Sequence, residues 1–110
     1  MNELLQIVPS GTPRSYRLVG ELDASNADEL LAELLKEVGV AGDLVLELSD
    51  LSFVDSMGLR SFLRIAAALD SSGKLVLEHP ARAVARTIHL AGLHKAPNIS
   101  IVGGAEIDRT

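Results

Sequence analysis

A chain of 110 residues, 47% of them apolar, is long enough to bury one core and too apolar to be disordered. Its formal net charge of −5 and its three aromatic residues, Tyr16, Phe53 and Phe62, argue against a basic nucleic-acid footprint and a base-stacking platform, so the expected partner is a protein. Without cysteine there are no disulfides, zinc–thiolate sites or redox pairs, and no apolar run approaches the roughly 18 residues of a membrane span.

Met1-Asn2-Glu3 lacks the positively charged region of a signal peptide, and a cytoplasmic location is expected. No internal repeat, linker or low-complexity tract interrupts the chain, so residues 1–110 read as a single domain.

Leu4 to Val8 and Tyr16 to Val19 read as short strands joined through the turn formers Pro9-Ser10-Gly11-Thr12-Pro13, a hairpin that Gly20-Glu21-Leu22-Asp23 closes. Ala27, Leu30, Leu31, Leu34, Leu35 and Val38 then repeat at helical spacing as one apolar stripe. Ser25 with Asp28 three residues on resembles a capping box, and Gly39 is the expected stop. Asp43 to Leu48 is the next strand, and its near-continuous apolar run suggests burial on both faces. A second helix begins near Ser56, turning Leu59, Phe62, Leu63, Ala66 and Leu69 inward and Met57, Arg60, Ser61, Arg64 and Ala68 outward. Ser71-Ser72-Gly73 ends it before a strand at Leu75–Leu77.

Pro80 suits the first turn of a third helix, whose apolar face is Ala81, Val84, Ala85, Ile88 and Ala91 and whose end is Gly92. Ile99 to Val102 is a last short strand, and the tail from Gly103 to Thr110 frays or adds a short helix. The order β-β-α-β-α-β-α-β predicts an α/β fold: a mixed, mostly parallel sheet packed with helices, the hairpin supplying the antiparallel pair.

The most chemically informative segment is Leu51-Ser52-Phe53-Val54-Asp55-Ser56-Met57-Gly58-Leu59, where a strand hands over to a helix. The first N–H groups of a helix have no partner within it, and the helix dipole favours negative charge there, so a phosphate fits. Two readings stand side by side. Ser56 is an N-cap with Asp55 a favourable neighbouring charge, or Ser56 accepts a phosphate that changes the surface without melting the helix.

A nucleophilic serine would need Gly-x-Ser-x-Gly, and Val54 occupies the first glycine position. His79, His89 and His94 show no triad order; His89 and His94 are five apart, off the spacing of two ligands on one helix face, and no His-Glu-x-x-His occurs. No metal or cofactor site is therefore expected, and Gly103-Gly104 reads as a turn. If their strands are neighbours, Asp23 and Asp55 flank Ser56 at one end of the sheet. Arg60 and Arg64, four apart beside Met57, are a solvated face or a contact ridge for an acidic partner.

With these residues in place the sequence resembles STAS domains of the anti-sigma factor antagonist type, over roughly Leu4 to Val102. Leu51 to Leu59 is similar to that family's apolar-Asp-Ser-x-Gly-Leu signature, Gly20-Glu21-Leu22-Asp23 to its Gly-Glu-Leu-Asp segment, and Pro80, Val84 and Ala91-Gly92-Leu93 to its third helix and exit. The resemblance implies a STAS-like fold and a binding protein, not an enzyme. Its unphosphorylated form would bind an anti-sigma factor that is also a serine kinase, releasing a sigma factor. Phosphorylation at Ser56 would break that complex, and a phosphoserine phosphatase would restore it. Asp23, Asp55, Ser56, Met57, Arg60 and Arg64 are the expected partner face. Many members carry a hydroxyl or other small residue where this chain has Met57, leaving Ser56 the only hydroxyl between Asp55 and Gly58. The alternative is a STAS subunit of another signalling scaffold or of a membrane transport complex.

Overall fold

The computed structural model describes residues 4–69, 71 and 73–104. Met1-Asn2-Glu3, Ser72 in the expected helix stop, and the expected tail beyond Gly104 lie outside the described residues. In chain order the elements are β1 (Leu5–Pro9), β2 (Ser15–Leu22), α1 (Ala27–Leu35), β3 (Leu44–Glu47), β4 (Leu51–Val54), α2 (Ser56–Leu69), β5 (Leu75–Glu78), α3 (Arg82–Leu90), a 3-10 turn (Leu93–Lys95) and β6 (Ile99–Val102).

The sheet runs β1-β2-β3-β5-β6, with β4 paired to β2 alongside that path. Among the described residues only β1 and β2 are antiparallel; every other pairing is parallel. β2 uses Ser15–Arg17 for β3 and Gly20–Leu22 for β4, so those two short strands follow one another along the edge of β2 opposite β1. The mixed, mostly parallel α/β sheet is as expected.

β4 is an addition to the expected order, and a bulge explains why its pattern was hidden. The β2–β4 register shifts between Gly20 and Glu21: Gly20 lies opposite Leu51, but Glu21 lies opposite Phe53. Ser52 is the extra residue, and its hydroxyl donates to the Gly20 carbonyl at 3.0 Å. Leu51 and Val54, three apart, consequently both face the core while Phe53 is exposed. A regular strand would have sent them to opposite faces.

Burial alternates along the parallel strands. Leu44 and Leu46 of β3, Leu75 and Leu77 of β5, and Leu18 and Leu22 of β2 join Phe62, Ile65, Leu30, Leu34, Val84 and Ile88 of the helices in one core. Val45, Glu47, Val76 and Glu78 on the other face are only half-buried. The expected burial of β3 on both faces is thus corrected: one sheet face carries the helical layer and the other is open.

Local corrections follow from the same packing. The α1 cap position is Asn26, not Ser25, and the helix ends at Leu35 rather than near Gly39. Leu35 lies at the margin of the apolar stripe and is exposed. In α2, Ser61 and Ile65 face inward and Leu63 outward; the Ser61 hydroxyl tolerates burial by donating to the Gly58 carbonyl at 2.6 Å. Pro80 precedes the Ala81 cap of α3 rather than entering its first turn, and Ala91 is exposed just past the helix. Gly92, at φ 76°, ends that helix as expected and leads into the 3-10 turn. Among the described residues, no helix is long and apolar enough to cross a membrane.

Arg14 clamps the loop after α1: its guanidinium donates to the carbonyls of Glu37, of Gly42 at 2.8 Å and of Asp43 at 3.3 Å. Beside it the Tyr16 hydroxyl donates to the Glu37 carboxylate, and that hydrogen bond, with burial and the same negative charge, pushes the phenol up to about 12 from 10.0. A proton held more tightly in the folded state stabilises the fold below pH 10.0, and the contribution disappears as pH rises towards 12. Tyr16→Phe should cost about 1 kcal/mol at neutral pH. It should also remove this part of the alkaline loss of stability, read from urea midpoints across that window.

Candidate functional site

The site lies at the end of the sheet where the neighbouring strands β2 and β4 deliver their chains to α1 and α2. Asp55 follows β4 and is tied to β2 by its own N–H, which donates to the Leu22 carbonyl at 3.2 Å. Its carbonyl accepts the first helical bond, from Leu59 N–H at 3.0 Å, and its Oδ1 accepts the Gly58 N–H at 2.9 Å. Those two bonds define an N-cap. Asp55, not Ser56, therefore caps α2. Its second oxygen, Oδ2, accepts the Ala24 N–H at 3.2 Å, so one carboxylate joins α2 to the loop before α1.

That loop is built around Asp23 and Asn26. Asp23 Oδ1 accepts the Ser25 N–H at 2.9 Å and the Ser25 hydroxyl at 2.6 Å. Asn26 is fully buried, its Oδ1 accepting the Asp23 N–H at 2.9 Å and its Nδ2 donating to the Glu21 carbonyl at 2.9 Å. With both ends of the amide satisfied, burial is tolerated and the loop is held in one shape. The structure therefore brings Asp23 and Asp55 to one end of the sheet beside Ser56. The two acids act differently there, since Asp23 shapes the loop and Asp55 fastens the loop to the helix.

Ser56, relieved of capping, is the first helical residue and is exposed. Among the described residues its hydroxyl makes no hydrogen bond, and the N–H groups of Ser56 and Met57 have no acceptor, as expected in a first helical turn. From Ser56 the outer surface of α2 continues through Met57, Arg60, Leu63 and Arg64, all exposed. Successive residues advance about 100° around a helix, so these five share roughly one third of its circumference. Met57 and Leu63 are 42% and 43% exposed, and Phe53 on β4 is 47% exposed.

Sequence reasoning missed Asn26, Phe53 and Leu63. The Asp-x-x-Asn spacing before a helix was a turn signal for Asn26. Leu63 lies about 100° around the helix from the centre of the stripe of Leu59, Phe62, Ile65, Ala66 and Leu69, so its outward position could have been read by including Ile65. Phe53 could not, because its orientation depends on the bulge. The remaining expected face residues, Met57, Arg60 and Arg64, are outward as expected. His89 and His94 do meet, their rings stacked at 4.3 Å, because α3 ends between them and the 3-10 turn folds back.

A family model described as the STAS domain matches residues 6–101. The chain belongs to the STAS domain family. Its fold is also that of several solved structures. One, of the anti-sigma factor antagonist SpoIIAA in its unphosphorylated form, has a TM-score of 0.69 at 22% identity, covering 88% of this chain and 86% of that one. Another, of an anti-sigma factor antagonist from Mycobacterium paratuberculosis, has a TM-score of 0.73 at 23% identity, covering 87% and 85%. A third, of the Bacillus cell fate determinant SpoIIAA in the phosphorylated form, has a TM-score of 0.63 at 22% identity, covering 88% and 89%.

In this STAS domain, Gly58 allows the start of α2 to lie directly on β2 and β4. A Cβ there would stand 2.6 Å from Val54 Cγ2 and 2.8 Å from Leu22 Cγ. The cap that starts the helix is separately testable. Asp55→Ala should cost about 1–2 kcal/mol, the range for a lost N-cap. Asp55→Asn should restore part of that, since one amide oxygen can accept from Gly58 N–H or Ala24 N–H but its nitrogen cannot. Urea unfolding of the two variants against the parent measures the order.

Proposed function

We propose that this STAS domain is an anti-sigma factor antagonist controlled by phosphorylation of Ser56. In its unphosphorylated state it binds an anti-sigma factor with serine kinase activity through Asp23, Asp55, Ser56, Met57, Arg60 and Arg64, extended by Phe53 and Leu63, and a sigma factor is released. The kinase then phosphorylates Ser56 and the complex separates. A phosphoserine phosphatase returns the protein to its binding form. It works by binding, in the cytoplasm.

One observation carries this reading: Asp55 performs the cap, so the Ser56 hydroxyl is exposed and uncommitted at a helix start. A phosphate on it would carry about −1.5 to −2 charge, near the open N–H groups of the first turn and one turn before Arg60. An acid four residues ahead of a base on a helix is a favourable pair. The helix accordingly survives modification while its outer surface changes sign. The likeness to solved antagonists, one of them phosphorylated, supports the same reading.

The direct test is to incubate the protein with the anti-sigma-type serine kinases of its own genome and ATP, then map the phosphate by mass spectrometry. The expected result is one phosphate, on Ser56. Phosphate placed elsewhere, or none from a kinase that binds the protein, would count against the switch.

A further inference from the structure

We propose that Glu47, Glu78 and His79 form a binding site for a divalent transition cation of the zinc class, on the open face of the sheet away from Ser56. Glu47 and Glu78 are register partners on the parallel strands β3 and β5, so their side chains leave the same face side by side. Like charges directly opposite each other in a sheet are unfavourable. In the same row Arg17 lies opposite Glu47 on β2, but its guanidinium is bonded to Asp50 at 3.0 Å.

The third ligand comes from a break in the strand. His79 would face the opposite side of the sheet if β5 continued, but its backbone turns at φ 51° and its N–H donates to the Val102 carbonyl at 2.8 Å. The imidazole returns to the glutamates, with Nδ1 2.7 Å from Glu47 Oε1. Gly103 makes room for the ring: a Cβ there would lie 2.5 Å from His79 Cδ2. One ligand atom from each of the three residues then lies within 4.8 Å of the others.

Tetrahedral zinc with bonds of about 2.1 Å needs ligand atoms roughly 3.4 Å apart. With Nδ1 and Oε1 2.7 Å apart and no pair of the ligand atoms more than 4.8 Å apart, that spacing is within reach of side-chain rotation while Glu47 Oε2 keeps the Ser49 N–H at 3.0 Å. Two carboxylates and one imidazole supply three protein ligands, and the open face leaves a fourth position to solvent. A histidine–glutamate ion pair alone would account for His79 and Glu47. To that pair Glu78 adds only its negative charge: it stands in register beside Glu47 and, among the described residues, makes no ion pair within 4.0 Å.

The test titrates zinc chloride into the untagged full chain by calorimetry at constant pH. Saturable binding of one zinc per chain is expected. Glu78→Gln should weaken it by more than the 10–100-fold typical of residues that only support a metal ligand. His79→Asn should do the same, asparagine being chosen because it accepts a positive φ. Unchanged circular dichroism will show that each variant is folded, and if His79→Asn is not, Glu78→Gln decides alone. His94→Gln should bind zinc as the parent does. No saturable uptake would overturn the site, as would uptake that survives Glu78→Gln. Uptake abolished by His94→Gln would do so too, placing the metal at the stacked His89–His94 pair.

Discussion

In the proposed complex with an anti-sigma kinase, Ser56→Ala should bind as well as the parent, whereas Ser56→Asp should bind at least about tenfold more weakly, a difference of about 1.4 kcal/mol. Removing the hydroxyl disturbs nothing in the free protein, because among the described residues it makes no hydrogen bond and Asp55 holds the helix start. A carboxylate at position 56 would stand at the N-terminal end of the exposed surface formed with Met57, Arg60, Leu63 and Arg64. Four residues ahead of Arg60, it would change the charge this face offers the kinase, and losing its water at the interface would be costly. Since aspartate has about one charge and phosphoserine nearly two, the phosphorylated protein should bind more weakly still. The electrostatic origin has its own signature: part of the gap between the Ala and Asp variants should close as salt is raised, through screening. Calorimetric or surface-binding titrations with the purified kinase measure both effects. Equal affinities for Ser56→Ala and Ser56→Asp would show that charge at this position does not control the complex.

Much of this architecture could be read from hydrophobic spacing, and the exceptions share a cause. α1 and α2 announce themselves because 3.6-residue periodicity survives any tertiary context in which one face is buried. β3 and β5 are equally plain as apolar runs between turn residues. Their one-sided burial was not legible, because Val45 and Val76 are apolar yet lie on the open face. The strand β4 was invisible because the extra residue Ser52 breaks the alternation of Leu51 to Val54. A bulge is a pairing relation between two strands, and a single strand's sequence does not contain it.

The site was legible in position but not in division of labour. An Asp-Ser pair before a helix shows where the N-cap must be, since both side chains can cap. Which one does so depends on where the helix begins. That point is set from outside by the Asp55 N–H bond to Leu22 and the Oδ2 bond to Ala24. Asp23, Asn26 and Asp55 come together only because β2 and β4 are neighbours, a fact of topology.

The largest effect on stability is expected at Gly20, which governs that topology. Its φ of 113° is disfavoured for any residue with a Cβ, and a Cβ built there would stand 2.0 Å from the Leu4 carbonyl oxygen. The obstruction is backbone, so no side-chain rotation relieves it. Gly20→Ala must move β1 away from β2 or change the dihedral, and either choice disturbs the bulge. The Gly20 N–H bond to the Asp50 carbonyl and the Ser52 hydroxyl bond to the Gly20 carbonyl are then lost or weakened. Strained backbone of this kind costs about 1–3 kcal/mol, and lost hydrogen bonds about 1 kcal/mol each, so a total of about 3 kcal/mol is expected. Gly39→Ala is the matched control: its φ is not positive, and a Cβ there would have nothing within 4 Å. It should be neutral or stabilise by about 0.4–1 kcal/mol by restricting the unfolded chain. Urea midpoints at constant m-value measure both. The consequence reaches Ser56 as well, because β4 carries Asp55 to its cap position through this bulge. Where Gly20→Ala remains folded, amide exchange at Gly58 should quicken, reporting a looser cap. A variant as stable as the parent with unchanged exchange would show that the register of β4 does not depend on this glycine.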